Sequence, residues 1–296
     1  MRARGACVRC RSISQTRSWP CWQDDTVLIL AATPIGNLHD ASPRLRQVFE
    51  EAHVIVAEDT RVTGSLLAAL GLSTGASLVA ANEHSESGQV ERILEQAEQG
   101  MVVLVSDAGM PLVSDPGYVL VREARRRGVP VSVVPGPSAG ISALAVSGLA
   151  TDRFVHEGFI PKKGREGYFR SLEREPRTMV FFESPNRLAA SLAEMATVWG
   201  ADREACVVRE LTKMFEEVAW GTLGELAGRF SGRTKGEIVV VVAGHPGGAG
   251  DIEQALVEVR ALLEQGLSPS AACAAVAKEF SIPKRDLYQA HLATSA

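Results

Sequence analysis

Five short apolar runs, at 27–32 (VLILAA), 53–57 (HVIVA), 77–81 (SLVAA), 102–105 (VVLV) and 131–134 (VSVV), punctuate the first half of the chain, with segments of helical length between them. That rhythm belongs to an α/β chain with a largely parallel sheet. Strands buried on both faces read as unbroken apolar runs, and each parallel pair needs a crossover long enough to hold a helix. A second set of strands is predicted at 154–160, 178–183, 205–211, 214–220 and 237–243, after a Gly- and Pro-rich stretch, VVPGPSAG. The join between two α/β domains is therefore placed at 135–150, giving domains 26–148 and 149–246. From Asp251 the pattern changes to a helix at 252–265 and two shorter helices within 268–290, split at Ser281-Ile282-Pro283, which makes 251–296 a small helical appendage.

Residues 1–25 stand apart, with Arg2, Arg4, Arg9, Arg11 and Arg17 and no acidic residue before Asp24. They read as an unfolded extension without a catalytic role. The remainder has core-forming material to spare, at 46% hydrophobic residues overall. The formal net charge of −4 argues against indiscriminate nucleic-acid binding and leaves room for a local basic surface. Cys7 and Cys10 form a lone C-x-x-C, with Cys21, Cys206 and Cys273 scattered, so no structural metal is expected and a reducing cytoplasm is. No apolar run approaches the roughly 18 residues of a membrane span.

The most informative string is VVLVSDAGMPLVSDPG, residues 102–117. A buried strand stops at one turn and is followed at once by another, which gathers Ser106, Asp107, Ser114 and Asp115 past a strand end. Ligands of open α/β sheets bind in that position. Gly109 and Gly117 permit close approach or positive φ, while Pro111 and Pro116 stiffen the loop. Similar loops recur at 33–38 (TPIGNL), 134–140 (VPGPSAG), 182–187 (FESPNR), 209–213 (RELTK) and 243–245 (AGH). Ser138 is placed to cap a helix whose free amides suit a carboxylate or phosphate. Each loop taken separately also reads as a turn and a cap.

In chain order, TPIGNLxD, AEDTR, SDAGxP, SDPG, PGPSA, FESPxR and RELTK resemble the motif series of the tetrapyrrole-methylase superfamily over roughly residues 26–245. Within it the series is most similar to the branch that methylates a cytidine ribose 2′-hydroxyl of 16S rRNA, and the helical tail resembles that branch's helix-turn-helix. The resemblance implies two α/β domains with S-adenosylmethionine in a cleft between them, and a homodimer. The donor contacts it implies are Ile35, Asp107, Met110, Ser138, Ala139, Phe182, Leu211 and Ala243. Relatives usually carry Thr where Met110 stands, which removes a side-chain hydrogen bond there.

For the chemistry, Glu58-Asp59-Thr60-Arg61 follows a strand, so Asp59 is a candidate base, with Arg61 orienting it or an RNA phosphate. The alternative is a structural ion pair or helix cap. Glu210 with Lys213 is a second pair, and Glu83 with His84 a third. RNA contacts are expected from Lys162, Lys163 and Arg165 in a segment that continues through Arg170, Arg174 and Arg177 with Tyr168 and Phe169 between, or else that segment forms an amphipathic helix with a solvated face. Lys278, Lys284 and Arg285 in the tail are accessory candidates. The expected substrate is 16S rRNA in the small ribosomal subunit, with no metal or membrane involved. The alternatives are a corrin-precursor methylase sharing the donor and a non-catalytic ribosome-assembly factor.

Overall fold

The computed structural model describes residues 26–80, 88–115, 117–246, 249–280 and 282–294. These form two compact units, one comprising the chain up to Pro34 with Leu38–Gly136, the other Ile35–Asn37 with Pro137–Ala296.

Unit 1 carries a wholly parallel five-stranded sheet of β1 (Val27–Ala31), β2 (Val54–Ala57), β3 (Ser77–Ala80), β4 (Met101–Val105) and β5 (Val131–Val134), in the order β3-β2-β4-β1-β5. The four apolar side chains 102–105 of β4 are all buried, as its unbroken run requires. Helices α1 (Pro43–Glu51) and α2 (Thr60–Ala69) cover one face through Leu45, Val48, Phe49 and Leu67. The other face is covered by α3 (Gly88–Ala97) and α4 (Tyr118–Arg127) through Ile93, Leu94, Leu120 and Ala124. Each fully buried large aliphatic or aromatic side chain among these contributes about 1.5–3 kcal/mol. The ends of the helices follow local chemistry: the Ser42 hydroxyl accepts from Leu45 N at 3.0 Å with Pro43 next in line, and Gly128 closes α4 in the left-handed region at φ 75°.

Unit 2 begins with α5 (Ala139–Val146) and has a mixed sheet of β6 (Phe154–Phe159), β7 (Thr178–Glu183), β8 (Glu204–Arg209), β9 (Glu217–Thr222) and β10 (Ile238–Val242), in the order β6-β7-β10-β8-β9. Only β6 and β7 are parallel; β7, β10, β8 and β9 pair antiparallel. The central strand β10, IVVVV, is buried throughout. Helices α6 (Arg165–Ser171), α7 (Leu188–Trp199) and α8 (Leu223–Arg229) bury Phe169, Leu192, Trp199 and Leu226 against one face, and Trp199 donates its indole N–H to Phe169 O at 2.8 Å. The opposite face is covered by α5 through Ala143 and Leu144. Because α5 packs on this second sheet, the units divide between Gly136 and Pro137, earlier than the 148/149 division read from the sequence.

The tail forms α9 (Ala249–Glu264), α10 (Pro269–Glu279) and α11 (Lys284–Thr294) around Leu256, Val259, Cys273, Val276 and Leu287. It is counted within unit 2, joined to α6's flank by Arg174, which donates to Gln254 at 2.7 Å and lies 5.3 Å over the Phe280 ring. Among the described residues no helix is long and apolar enough to cross a membrane.

Candidate active site

In unit 1, β4 lies between β2 and β1. The helices that follow β1 and β2 go to one face of the sheet, whereas the helix that follows β4 goes to the other. Such a reversal opens a crevice at the carboxyl ends of the strands, and residues 106–109 sit at it. Three of the motifs meet there. Thr33 and Gly109 exchange backbone hydrogen bonds of 2.9 and 3.1 Å, and the Thr33 hydroxyl donates to Ser106 O at 3.3 Å. The Asp107 carboxylate accepts from Asp59 N at 3.0 Å, while Asp107 N donates to the Glu58 carboxylate at 3.4 Å. Beyond them, Leu112 and Ser114 hold positive φ of 72° and 68°. Such conformations cost non-glycine residues about 1–3 kcal/mol each and gather where ligands are bound. Asp115 follows, its pKa pushed up to about 6 by burial and then by the Glu58 charge.

Asp59 is the N-cap of α2. Its carboxylate accepts from Arg61 N at 2.8 Å and from the Arg61 guanidinium at 2.6–3.2 Å. The Arg61 side-chain hydrogen bonds, then its amide, hold the Asp59 pKa down to about 2. The cap and ion pair offered as the alternative are both present, and a general base works best with a pKa nearer the operating pH. Glu83 and His84 lie outside the described residues.

In unit 2, Ser138 occupies the N-cap position of α5, yet its hydroxyl makes no capping bond, which leaves the first amides of the helix open. Ala139, Phe182 and Leu211 are half-buried side chains on one apolar cluster that includes Ala143, Leu144, Val180 and Val208. Ala243, packed on the same cluster, follows Val242, whose pairing with Met179 and Ala205 puts it at the opposite end of the sheet from Phe182 and Leu211. Ile35, from the 33–38 loop, is buried in the same unit. The Phe182 ring meets His156 and Phe159 at centroid distances of 5.0 and 5.2 Å.

The RELTK loop is built tightly. Glu210 and Thr212 both have positive φ, 52° and 67°. Glu210 N donates to Glu237 O and Glu237 N to the Glu210 carboxylate, each at 2.9 Å. Lys213 Nζ bridges Glu210 at 2.9 Å and Glu237 at 3.1 Å. Burial pulls the Lys213 pKa down, but hydrogen bonds to Glu210 and Glu237 outweigh it and the net shift is upward. Glu210 is shifted downward, first by the Glu237 amide and then by Lys213. Both groups are thus held charged. The Thr212 hydroxyl oxygen is buried with no hydrogen-bond partner among the described residues.

FESPNR has a structural purpose that its sequence did not reveal. Glu183, with no exposed side-chain surface, pairs with Arg187 at 2.6 Å and accepts from Ser191, and Arg187 also donates to Ile160 O at 3.1 Å. Arg165 joins the same network through Ser191 at 3.3 Å and an ion pair with Glu194. Its guanidinium is therefore engaged within the protein. Arg170 pairs with Glu166 one helical turn away, and Arg177, beyond the end of α6 at Ser171, pairs with Glu175. Lys162 and Lys163 are exposed, without an ion pair among the described residues, and Lys162 lines a groove of about 600 Å³. The free thiols Cys206 and Cys273 are buried, Cys206 with its pKa pushed up to about 11. Among the described residues no cluster of His, Cys, Asp or Glu is placed to hold a metal.

The Tetrapyrrole (Corrin/Porphyrin) Methylases family profile matches residues 27–227, and the RsmI C-terminal HTH domain profile matches 250–295. The chain belongs to the tetrapyrrole methylase family. Relatives in this family named ribosomal RNA small subunit methyltransferase I include one from Xylella fastidiosa, 44% identical over 271 residues, covering 88% of this chain and 97% of the relative. Another, from Mycobacterium tuberculosis, is 43% identical over 269 residues, covering 90% and 94%. Among solved structures, the methylase fold is shared with diphthine synthase at TM-score 0.55 and 17% identity, covering 73% of this chain and 89% of that one. It is shared also with uroporphyrin-III-C-methyltransferase from Thermus thermophilus at TM-score 0.53 and 20% identity, covering 74% and 94%.

Proposed function

We propose that this methylase uses S-adenosylmethionine to methylate the ribose 2′-hydroxyl of a cytidine in 16S rRNA of the small ribosomal subunit, in the cytoplasm where that subunit resides. The observation that carries the reading is identity of 41–44% to small-subunit rRNA methyltransferases across about nine-tenths of the chain, helical tail included.

The residues present fit the donor. The half-buried apolar side chains of Ala139, Phe182 and Leu211 suit an adenine, and the open amides of α5 with the Ser138 hydroxyl suit a carboxylate. Asp107 and Met110 of unit 1 and Ile35 of unit 2 are the remaining proposed contacts. When bound, the donor supplies a methyl group on a sulfonium. What the chain must then do is align the acceptor oxygen, and alignment of this kind is worth about 7–11 kcal/mol. Lys213, kept protonated, holds a phosphate beside the acceptor hydroxyl, whose proton passes to solvent as the methyl is transferred, and Glu210 fixes the ammonium. Asp59 and Arg61 anchor the loop that carries Asp107.

Mapping of 2′-O-methyl marks in 16S rRNA, with and without the gene, tests the proposal. One cytidine mark should disappear and return on complementation; an unchanged map refutes the assignment. A corrin methylase would be indifferent to neutralising Lys162 and Lys163, and an assembly factor would show no binding of labelled donor in equilibrium dialysis.

A further inference from the structure

A second basic surface lies away from Lys162 and Lys163. Arg209, Glu217, Arg229, Phe230, Arg233 and Lys235 line a groove of about 370 Å³ in unit 2. One carboxylate faces four cations there, on a chain whose formal charge is −4. Glu217 is shared between Arg209 at 2.8 Å and Arg229 at 2.9 Å, and those hydrogen bonds, Arg209's first, hold it ionised. Arg233 and Lys235 are exposed and form no ion pair among the described residues. Each guanidinium offers five N–H donors, of which Glu217 and Lys235 O take only some.

The groove is joined to the RELTK loop. Arg209 directly precedes Glu210, and Lys235 is two residues from Glu237, which clasps Glu210 and Lys213. Gly236 makes the clasp possible: at φ 94°, a Cβ there would fall 2.5 Å from Glu210 Cγ. The wall of the groove and the Lys213 loop are thus one rigid piece.

We infer that the Arg209–Arg229–Arg233–Lys235 groove binds phosphates of the acceptor RNA backbone and sets the register of the strand beside Lys213. This rests on the rRNA methyltransferase reading above. Phosphates position a nucleic acid without reading its bases, and each one that is neutralised releases counterions. The unbalanced charge and the fixed link to Lys213 are what such positioning needs.

The test compares wild-type protein with the Arg233→Gln/Lys235→Gln double variant, both sites being exposed and outside any ion pair, by binding to small ribosomal subunits across a salt series. Binding of labelled S-adenosylmethionine should be unchanged, which establishes that the variant is folded. Subunit binding should weaken by about tenfold or more. The slope of log K against log[salt] should shrink by about 1.5, since each phosphate that the protein neutralises adds about 0.7–0.9 to it. Equal affinity and slope would overturn the inference while leaving the methyltransferase reading intact. Binding of inorganic phosphate by the free wild-type protein that is lost in the double variant, while subunit affinity and salt slope stay equal, would also overturn it, in favour of a small-anion site. A wild-type protein that neither binds nor methylates the subunit removes both.

Discussion

The aliphatic stem of Lys213 lies across the bare Cα of Gly36, so that a Cβ built on Gly36 would stand 2.5 Å from Lys213 Cγ and 2.7 Å from its Cε. Gly36 also has φ of 150°, within the range that favours glycine. The TPIGN turn thereby holds the ammonium against Glu210 and Glu237.

Gly36→Ala should lower kcat for subunit methylation by about tenfold or more, because Lys213 must leave its clasp, and should cost about 1–3 kcal/mol of stability from overpacking. In a Lys213→Ala background the stability cost should fall to that of the backbone conformation alone, since the clashing atoms are gone. Thermal unfolding of the four proteins in a double-mutant cycle checks this. Additive costs would show that the two residues do not touch.

Asp59→Asn keeps a good N-cap and removes the carboxylate. Since Asp59 is held at about pKa 2 by Arg61, single-turnover methyl transfer should drop by less than about tenfold. A loss of about 10²–10⁴-fold, with the acidic limb of the pH–rate profile abolished, would mark Asp59 as the base after all.

Glu183→Ala takes the buried carboxylate away from the Arg187 guanidinium and the Ser191 hydroxyl. Urea denaturation should show a loss of about 3 kcal/mol at unchanged m-value, the usual consequence of removing one partner of a buried pair. A loss below about 1 kcal/mol would mean that the network is dispensable.

Asp115 is raised from its ordinary 3.8 to about 6, by burial first and the Glu58 charge second. Between these two values the folded state binds the proton and the unfolded state does not, so this residue's contribution to stability falls as pH rises from about 4 to about 6 and stays low above it. The Tm of Asp115→Asn relative to wild type should therefore climb across that window, measured from about pH 4.5 to about pH 7.5. A difference independent of pH would contradict it.

The strands were legible because each is an apolar run, and every one of the ten expected segments overlaps an observed strand. The motif loops were legible as strand ends for the same reason. Their partners were not. Nothing in RELTK or in SGRTKGE states that Glu237 returns to clasp Glu210, because that contact spans 27 residues and an antiparallel pairing of β10 with β8. Arg165 looked like a free cation because Glu194, its partner, comes from the next helix.

Local chemistry, then, wrote the order of the elements, the turns and the family motifs into the chain, since hydrophobic period and turn residues act over a few positions. Which charged groups are spent on one another and which stay free for RNA was decided only by the tertiary structure. Long-range pairing sets the neighbours of Asp107 and Lys213, and an ion's neighbours, more than its identity, determine what it can do.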